Sequence, residues 1–374
     1  MIVPVFVPFM QSYGLTLQQI FLLQGVYTFT WVIADVPTGY FADVWSRRRS
    51  LICGSFCLCL SGIGFAIGTQ FWHFCLVEFL FGLGRAFNCG TIQAMTYDTL
   101  IDLGNTGDYR KIASSQSIVS YLSTATAGIL GGLVAGVNIH WAGFLMGPFF
   151  LMALIISLAV DEPRRHTIKG SGHIKNAAQI VYQTLVLNPP LRAIMLAYGL
   201  VAATTFSLVW FTQPYQEELQ LPMAYFGISN AVFAAGLIMA SRVAYLLEKR
   251  LDDRLLLAMI IATVVVSYLI LGINANVSIF GLCILLIGRS TYGALDALTS
   301  DMVNRLTASS MRATVLSMRS FVYNLIFAVF SPLIGYAAGV FSLNNALLIV
   351  GIGAGILAIP LAVLLKKSWN ELPA

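Results

Sequence analysis

Residues 255–273 read LLLAMIIATVVVSYLILGI, a run without a single charged side chain. As an α-helix this run is about 28 Å long, close to the roughly 30 Å hydrocarbon core of a lipid bilayer. Similar apolar runs recur along the whole chain, separated by shorter polar connections. We place them at residues 1–13, 20–41, 51–68, 74–97, 117–136, 141–160, 191–211, 224–247, 255–273, 277–299, 315–340 and 343–365. The sequence therefore predicts an all-α polytopic membrane protein.

The overall composition argues against several other classes of protein. Of the 374 residues, 58% are hydrophobic and only 10% are charged, and the mean hydropathy is +0.82. A soluble chain needs roughly a quarter of its residues charged to cover its surface. We therefore set aside a soluble enzyme, a nucleic-acid-binding protein and a disordered chain, and the repeated helical spans exclude a transmembrane β-barrel.

The basic residues are concentrated in every second connection. The connections at 14–19, 69–73, 137–140, 212–223, 274–276 and 341–342 contain no Lys or Arg. Of the 21 basic residues, only Arg85 and Arg289 lie inside apolar segments; the others lie on one face, with Arg192, Arg242 and Arg319 at segment ends. This asymmetry marks the basic face as cytoplasmic. We expect a multi-pass protein of the cytoplasmic (inner) membrane, with its linker and C-terminus in the cytoplasm.

The longest polar connection divides the chain into two halves of six segments each. We expect an N-terminal bundle at residues 1–160, a cytoplasmic linker at 161–190 and a C-terminal bundle at 191–374. In the linker, apolar residues at helical spacing predict a short amphipathic helix on the membrane surface; they are Ile174, Ala178, Val181 and Leu185. The segment 1–13 is too short to span the bilayer, so we expect the first helix to lack its cytoplasmic half.

The two halves also correspond in sequence. Gly84-Arg85 matches Gly288-Arg289 at an offset of 204 residues, and the basic loops after the second and eighth segments correspond at nearly the same offset. Such a repeat is typical of transporters built from two similar bundles, with a substrate path between them.

Four short motifs carry a resemblance to a known family. Residues 39–49 read GYFADVWSRRR, residues 35–39 read DVPTG, and residues 97–100 and 312–317 read YDTL and RATVLS. The chain resembles the major facilitator superfamily, and within it the bacterial drug-efflux-like branch. The resemblance implies the major facilitator fold, with two six-helix bundles related by a pseudo-two-fold axis normal to the membrane. It also implies a cytoplasmic gate, for which the matching residues here are Gly39, Asp43, Arg47, Arg48, Asp98 and Arg312.

Charged residues inside the bilayer are the main candidates for function, because each costs about 2.5–3.5 kcal/mol to insert. Arg85 and Arg289 lie near mid-depth at repeat-related positions, and Glu78 lies on the same helical face as Arg85. Two interpretations remain open. The arginines clamp an organic anion, or each pairs internally with a carboxylate. As further substrate-binding residues we select polar and aromatic side chains in the segments: Asn88, Tyr121, Trp210 and Tyr292.

Asp35 and Glu78 are the candidates for proton coupling, since a carboxyl group in an apolar environment can take up and release a proton near neutral pH. We expect a secondary active transporter that works by alternating access and exports an amphipathic or anionic solute by proton coupling. The alternative is a proton-coupled importer of an organic anion. We expect a monomer whose partners are a small-molecule substrate, protons and lipid.

Two rival functions make predictions that the sequence does not meet. A polytopic membrane enzyme would gather His, Asp or Cys residues at one membrane face, whereas the four histidines here are scattered over both. A non-transporting sensor would lack charges at mid-membrane. The chain has no nucleotide-binding P-loop, and its six cysteines lie in apolar runs without histidine, so we expect no cofactor and no metal.

Overall fold

The computed structural model describes residues 1–105, 108–163, 182–274, 276–307 and 311–369. All regular structure in these ranges is helical. The helices are α1 (Phe6–Gln11), α2 (Leu17–Val44), α3 (Arg47–Ile67), α4 (Phe71–Asp102), α5 (Tyr109–Val137), α6 (Ile139–Phe144), α7 (Met146–Ala159), α8 (Pro189–Glu218), α9 (Ala224–Glu248), α10 (Asp253–Ile273), α11 (Ile279–Leu306), α12 (Arg312–Val340) and α13 (Leu343–Trp369). A 3₁₀ turn at Val3–Val5 precedes α1, and a π-helical turn at Gln183–Leu187 precedes α8.

Within the described ranges, eleven helical stretches are long and apolar enough to cross a membrane. They are α2 to α5, the pair α6–α7 taken together, and α8 to α13. The prediction of an all-α polytopic membrane protein is confirmed. The segment predicted at 1–13 contains only the 3₁₀ turn and the six residues of α1. The proposed amphipathic helix lies outside the described residues at Ile174, Ala178 and Val181, as does the side chain of Leu185.

Several helices extend beyond their apolar runs because polar residues cap them. Thr16 and Gln19 form a reciprocal capping box at the start of α2, with bonds of 2.9 and 3.3 Å. Ser46 and Ser278 accept from backbone amides at the starts of α3 and α11. Asn188 does the same for α8, which begins with Pro189 at a position where no amide hydrogen is needed. These caps satisfy backbone donors that apolar side chains cannot.

Contacts divide the chain into two compact units. Unit 1 comprises Met1–Lys169 and Pro222–Ala231; unit 2 comprises Gly170–Leu221 and Val232–Ala374. In unit 1, α4 packs against both α2 and α3, and α3 packs against α7. Glycines make the α3–α4 contact close: a Cβ on Gly84 would lie 2.8 Å from the carbonyl oxygen of Gly54.

Helix α8 is the centre of unit 2. It packs against α11, α12 and α13, and most of its side chains are buried. Polar groups tie it to its neighbours: the Tyr268 hydroxyl of α10 donates to the Thr204 carbonyl at 2.8 Å, and Tyr215 bonds the backbone of Ser278 at 3.1 and 3.2 Å. Hydroxyl-to-carbonyl bonds of this kind hold apolar helices together where the hydrophobic effect does not distinguish protein from lipid.

Candidate functional site

In unit 1, two of the predicted residues, Arg85 and Glu78, lie at the contact between α2 and α4. The guanidinium carbon of Arg85 lies 5.3 Å from the centre of the Trp31 ring, a cation–π arrangement. The Tyr27 ring neighbours Trp31, and its hydroxyl interacts electrostatically with both Arg85 and Glu78. Tyr27 thus connects the two charged side chains, which sequence spacing alone placed about two turns apart.

In the described part of unit 1, no carboxylate forms an ion pair with Arg85. Glu78 is 2% exposed, and no ion pair or hydrogen bond of its carboxyl group occurs among the described residues. Asp35 is exposed on α2, and both Asp35 and Arg85 act electrostatically on the thiol of Cys89. The structure therefore brings Arg85, Asp35 and Glu78 to one region without neutralising the arginine directly.

Two other predicted residues of unit 1 lie apart from this region. The Oδ1 atom of Asn88 is buried against α3, so close that a Cβ added to Gly54 would overlap it. Tyr121 on α5 is 75% exposed. A cavity of about 680 Å³ runs along α2 and α4, and Arg85 is not part of its lining, which is mainly apolar: Val26, Phe29, Thr30, Ile33, Ala34, Pro37, Thr38, Phe41, Phe79, Leu83 and Phe87.

In unit 2, Arg289 lies well inside α11. Its guanidinium carbon is 4.1 Å from the centre of the Phe233 ring, and Phe233 is buried. Among the described residues, no carboxylate pairs with Arg289 and no hydrogen bond of its guanidinium is found. The side chain is thus a cation that stacks on an aromatic face. Its hydrogen-bond donors have no acceptor in the part of the protein that the structure describes.

Three and seven residues beyond Arg289, Tyr292 and Asp296 continue the same face of α11 into a polar cluster. The Tyr198 hydroxyl lies 3.1 Å from the Tyr292 hydroxyl and donates to Oδ1 of Asp296 at 3.4 Å. The same Asp296 oxygen accepts from Nη2 of Arg319 at 2.6 Å. Three helices, α8, α11 and α12, therefore contribute to one cluster, which contains the predicted residue Tyr292.

Arg319 was expected at a segment end on the basic face. The structure places it within α12, where it is 6% exposed. Its Nη1 atom donates to the Thr299 hydroxyl at 2.7 Å and to the Asp296 carbonyl at 3.1 Å, and its guanidinium carbon lies 4.2 Å from the centre of the Tyr198 ring. The partners are on other helices, so no local spacing reveals them. The spacing of Arg289, Tyr292 and Asp296 on one helix face is the signal that was available.

Trp210, the remaining predicted binding residue, lies on α8 and is 5% exposed. Its ring contacts Phe206 at a centroid distance of 5.9 Å, and Phe206 in turn contacts Tyr323 at 6.0 Å. The tryptophan therefore lies behind the polar cluster rather than within it.

The predicted gate residues of unit 1 meet at the start of α3. Arg47 forms an ion pair with Asp98 at the end of α4 and donates to the Ala94 carbonyl. The Glu162 carboxylate accepts from the Ser46 hydroxyl at 2.6 Å and from the backbone amides of Arg47 and Arg48 at 3.0 and 2.7 Å. An anion at a helix N-terminus is favourable, since unpaired amides point at it.

The other gate residues have different environments. Nη2 of Arg48 donates to the Leu158 carbonyl at 2.8 Å. Gly39 faces open space, and Asp43 is exposed near the end of α2. The side chain of Arg312 lies outside the part that the structure describes.

The corresponding basic loop of unit 2 has its own charge cluster. Arg305 contacts Asp253 at 2.5 Å, Asp301 at 2.8 Å and Glu248 at 3.8 Å. Because Arg305 is 53% exposed, water screens these pairs and each contributes little to stability. Among the described residues, no group of three or more His, Cys, Asp or Glu side chains is arranged to hold a metal ion.

Comparison with known proteins agrees with this architecture. A search of curated protein sequences gave no match. The nucleoside transporter NupG covers 97% of this chain and 93% of its own, with a TM-score of 0.75 and 13% identity. A bacterial homologue of the human lysosomal transporter Spinster, inward-facing and occupied, has a TM-score of 0.70 and 14% identity; the match covers 99% of this chain and 93% of the homologue. A D-xylose–proton symporter has a TM-score of 0.71 and 12% identity; the match covers 96% of this chain and 91% of the symporter.

These structural neighbours establish the fold, since their sequence identities are too low to carry more. The predicted major facilitator fold is confirmed, and transport is the activity that the family supports. The sequence model described as Major Facilitator Superfamily matches residues 1–293, most of the chain, and the protein therefore belongs to the Major Facilitator Superfamily of membrane transporters.

Proposed function

We propose that this protein transports a small organic anion across the cytoplasmic membrane by proton-coupled alternating access. The observation that carries the proposal is the environment of Arg289. This guanidinium lies inside a membrane-spanning helix, stacks on Phe233, and has no carboxylate partner or hydrogen bond among the described residues. An arginine in that position favours an anion, because its fork of donors matches a carboxylate in two hydrogen bonds.

The energetic cost of Arg289 favours anion binding over internal pairing. A guanidinium inside a membrane span costs about 2.5–3.5 kcal/mol on insertion scales, and a desolvated cation–π contact offsets about 2 kcal/mol of this cost. The protein keeps a charge whose own contacts do not offset its cost. A substrate anion would supply the missing interaction during each transport cycle.

Arg85 supplies a second cationic position in unit 1. Its guanidinium stacks on Trp31, and no ion pair with Asp35 or Glu78 is found among the described residues. The same two helices, α2 and α4, also line an apolar cavity. A cation on helices that offer an apolar surface suits an amphipathic anion better than a small hydrophilic one.

Asp35 and Glu78 are proposed as proton carriers of unit 1. Glu78 is buried at 2% exposure with no ion pair among the described residues, a setting in which the neutral carboxylic acid is favoured over the charged form. Asp35 is exposed on α2, as a site that loads a proton from water requires. We propose that the two sites are loaded and emptied as the protein alternates.

The direction of transport has two candidates. The motif at residues 35–39, which resembles the drug-efflux-like branch, favours proton-coupled export. The ion pair of the half-exposed Asp296 with the buried Arg319 favours import of an anion together with a proton. In either direction, Arg47, Asp98 and Glu162 would hold the gate closed on the cytoplasmic face. The linker and the C-terminus would lie in the cytoplasm. A monomer would be the working unit.

Counterflow in proteoliposomes tests the proposal. A panel of radiolabelled organic anions and cations is exchanged with and without a pH gradient, and Arg289→Met and Arg85→Met are compared with Arg242→Met. Arg242 is an exposed control that also stacks on an aromatic ring, Tyr245, at 5.6 Å. Loss of a charged hydrogen-bond partner should reduce anion exchange about ten- to hundredfold for Arg289→Met. The anion site would be rejected if the wild type exchanged only cations, or if the Arg289→Met variant exchanged anions at the wild-type rate. Net uptake of the anion that is indifferent to the pH gradient would reject proton coupling.

A further inference from the structure

We propose that Asp296 and the substrate carboxylate compete for Arg319, so that the anion binds together with a proton on Asp296 and the protein works as a symporter. This inference rests on the proposed function, in that it assumes an organic anion as substrate. The inference adds Arg319 to the anion site as a second arginine. The carboxylate of Asp296 then controls whether Arg319 is available to the substrate.

The hydrogen bonds of Arg319 leave one edge of its guanidinium incompletely used. Nη1 is occupied by the Thr299 hydroxyl and the Asp296 carbonyl, and Nη2 donates to Oδ1 of Asp296. Nε is buried and has no acceptor among the described residues. Nε and Nη2 form the side edge of the guanidinium, which binds a carboxylate in two parallel hydrogen bonds. Asp296 therefore occupies one of two positions that a substrate carboxylate could fill together.

The two partners differ in accessibility. The side chain of Asp296 is 45% exposed, whereas that of Arg319 is 7% exposed. Asp296 is thus the partner that a proton can reach, and Arg319 is the partner that Asp296 covers. A proton on Asp296 removes its negative charge, which weakens the bond to Nη2 and leaves the arginine without a counter-ion.

Among the described residues in contact with Arg319, Asp296 is the only acid. The titratable and charged groups that face the pair are Tyr198 from α8, Arg289 and Tyr292 from α11 itself, and Tyr323 from α12. Those of α9 and α10 are engaged elsewhere: Arg242 and Lys249 with Tyr245, Tyr268 with the Thr204 carbonyl, and Glu248 and Asp253 with Arg305. Asp296 is therefore the acid that controls the charge of this cluster within the described part of unit 2.

The aromatic rings around Arg319 indicate a class of substrate. Tyr198, Tyr292 and Tyr323 form a mutually contacting group with ring centroids 6.3 to 6.5 Å apart. Tyrosine rings offer a flat apolar face and a hydroxyl at the edge, so they suit a planar ring that carries polar groups. Tyr198 is buried and its ring face is covered by Arg319, so the half-buried Tyr292 and Tyr323 are the rings that a substrate can meet. A carboxylate on Arg319 with an aromatic body against these two rings fits this combination, and we assign the substrate class as aromatic monocarboxylates.

Thermodynamic linkage fixes the direction of coupling. If a proton on Asp296 raises the affinity for the anion, the anion raises the affinity for the proton by the same factor. Proton and anion are then carried in the same direction as a neutral pair. An exchanger would need the opposite sign, with the proton and the substrate excluding each other.

Net uptake into proteoliposomes tests this inference. The probes are radiolabelled para-hydroxybenzoate and hydroxyphenylpropionate, with gluconate as the non-aromatic comparison, and a trapped pH dye reports proton movement. Protein-free liposomes give the passive leak. With an inside-alkaline gradient of about one pH unit, a one-to-one symporter should accumulate the aromatic anion about tenfold, and the interior should acidify as it enters. Asp296→Asn should abolish accumulation, whereas Asp301→Asn, in the exposed Arg305 cluster of the same helix, should keep it.

A binding measurement guards against misfolding of the variants. For the wild type, the Kd of para-hydroxybenzoate should rise by up to about tenfold per pH unit once Asp296 ionises, and this dependence should vanish in Asp296→Asn and return in Asp296→Glu. Alkalinisation on anion entry, or coupling that survives in Asp296→Asn, would overturn the inference while leaving anion transport intact. Transport of gluconate but of neither aromatic probe would overturn the substrate class. If the wild type carries no organic anion, the proposed function fails, and the inference fails with it.

Discussion

Replacement of Arg289 by methionine should make the protein more stable and transport less active. The guanidinium costs about 2.5–3.5 kcal/mol within a membrane span, and its cation–π contact with Phe233 at 4.1 Å contributes about 2 kcal/mol when desolvated. Methionine has a similar length and fills the same space without charge. The difference predicts that Arg289→Met stabilises the folded state by about 1 kcal/mol, or about fivefold in the unfolding equilibrium.

Unfolding in mixed detergent micelles measures this effect, and Arg319→Met supplies a control of opposite sign. Arg319 has an ion pair with Asp296 at 2.6 Å and a further bond to Thr299 at 2.7 Å. Removal of one partner from a buried pair costs about 3–5 kcal/mol, and we expect the lower end because Asp296 is half exposed and can be hydrated. Both variants should lose anion transport, but only Arg319→Met should lose stability.

The opposite result has a clear meaning. A decrease in stability of 1 kcal/mol or more in Arg289→Met, on the order of the expected gain, would show that Arg289 stabilises the fold through a partner of its own. The alternative that the arginines serve internal pairing would then be preferred. Unchanged transport in a stabilised variant would show that Arg289 is neither a binding residue nor a structural one.

Two further predictions concern unit 1. Glu162→Gln should destabilise the protein by roughly 2–4 kcal/mol in the same unfolding assay, because it removes a charge and one acceptor from the start of α3, whereas Asp161→Asn, an exposed neighbour, should have little effect. Gly54→Ala should lower the thermal stability of the purified protein, since the new Cβ would lie 2.2 Å from Oδ1 of Asn88, whereas Gly39→Ala adds a methyl group to open space and should be neutral. Equal effects of the two members of either pair would contradict these assignments.

The membrane-spanning segments were predictable because hydropathy is a sum over many residues. A run of about 20 apolar residues identifies a helix that must satisfy its own backbone in lipid, whatever its neighbours are. The ends were less accurate: the apolar run 74–97 belongs to a helix that extends from Phe71 to Asp102. Helix ends lie in water or among lipid headgroups, where hydropathy carries no signal. There, the capping residues determine where a helix begins and ends.

The pairings between charges were not predictable in the same way. Arg47 pairs with Asp98, which is 51 residues away in the chain, and Arg319 pairs with Asp296, which is 23 residues away; each pair joins two different helices. Sequence spacing identifies which residues share a helix face, but the rotation of one helix against another depends on packing. Asn88 illustrates the limit, since it lies one turn from Arg85 and nevertheless faces Gly54 of α3.

The internal repeat provides an argument that the Asp296–Arg319 pair serves function rather than folding. At the offset of 204 residues, the positions equivalent to Asp296 and Arg319 are Ile92 and Ser115 in unit 1. Neither can form an ion pair, and the Ser115 hydroxyl donates to the Lys111 carbonyl of its own helix. The related helices of unit 1 form without such a pair, and a buried ion pair is in general no better for stability than apolar side chains of similar size. A charge pair that one half of a duplicated fold does without is better explained by the transport chemistry of the half that keeps it.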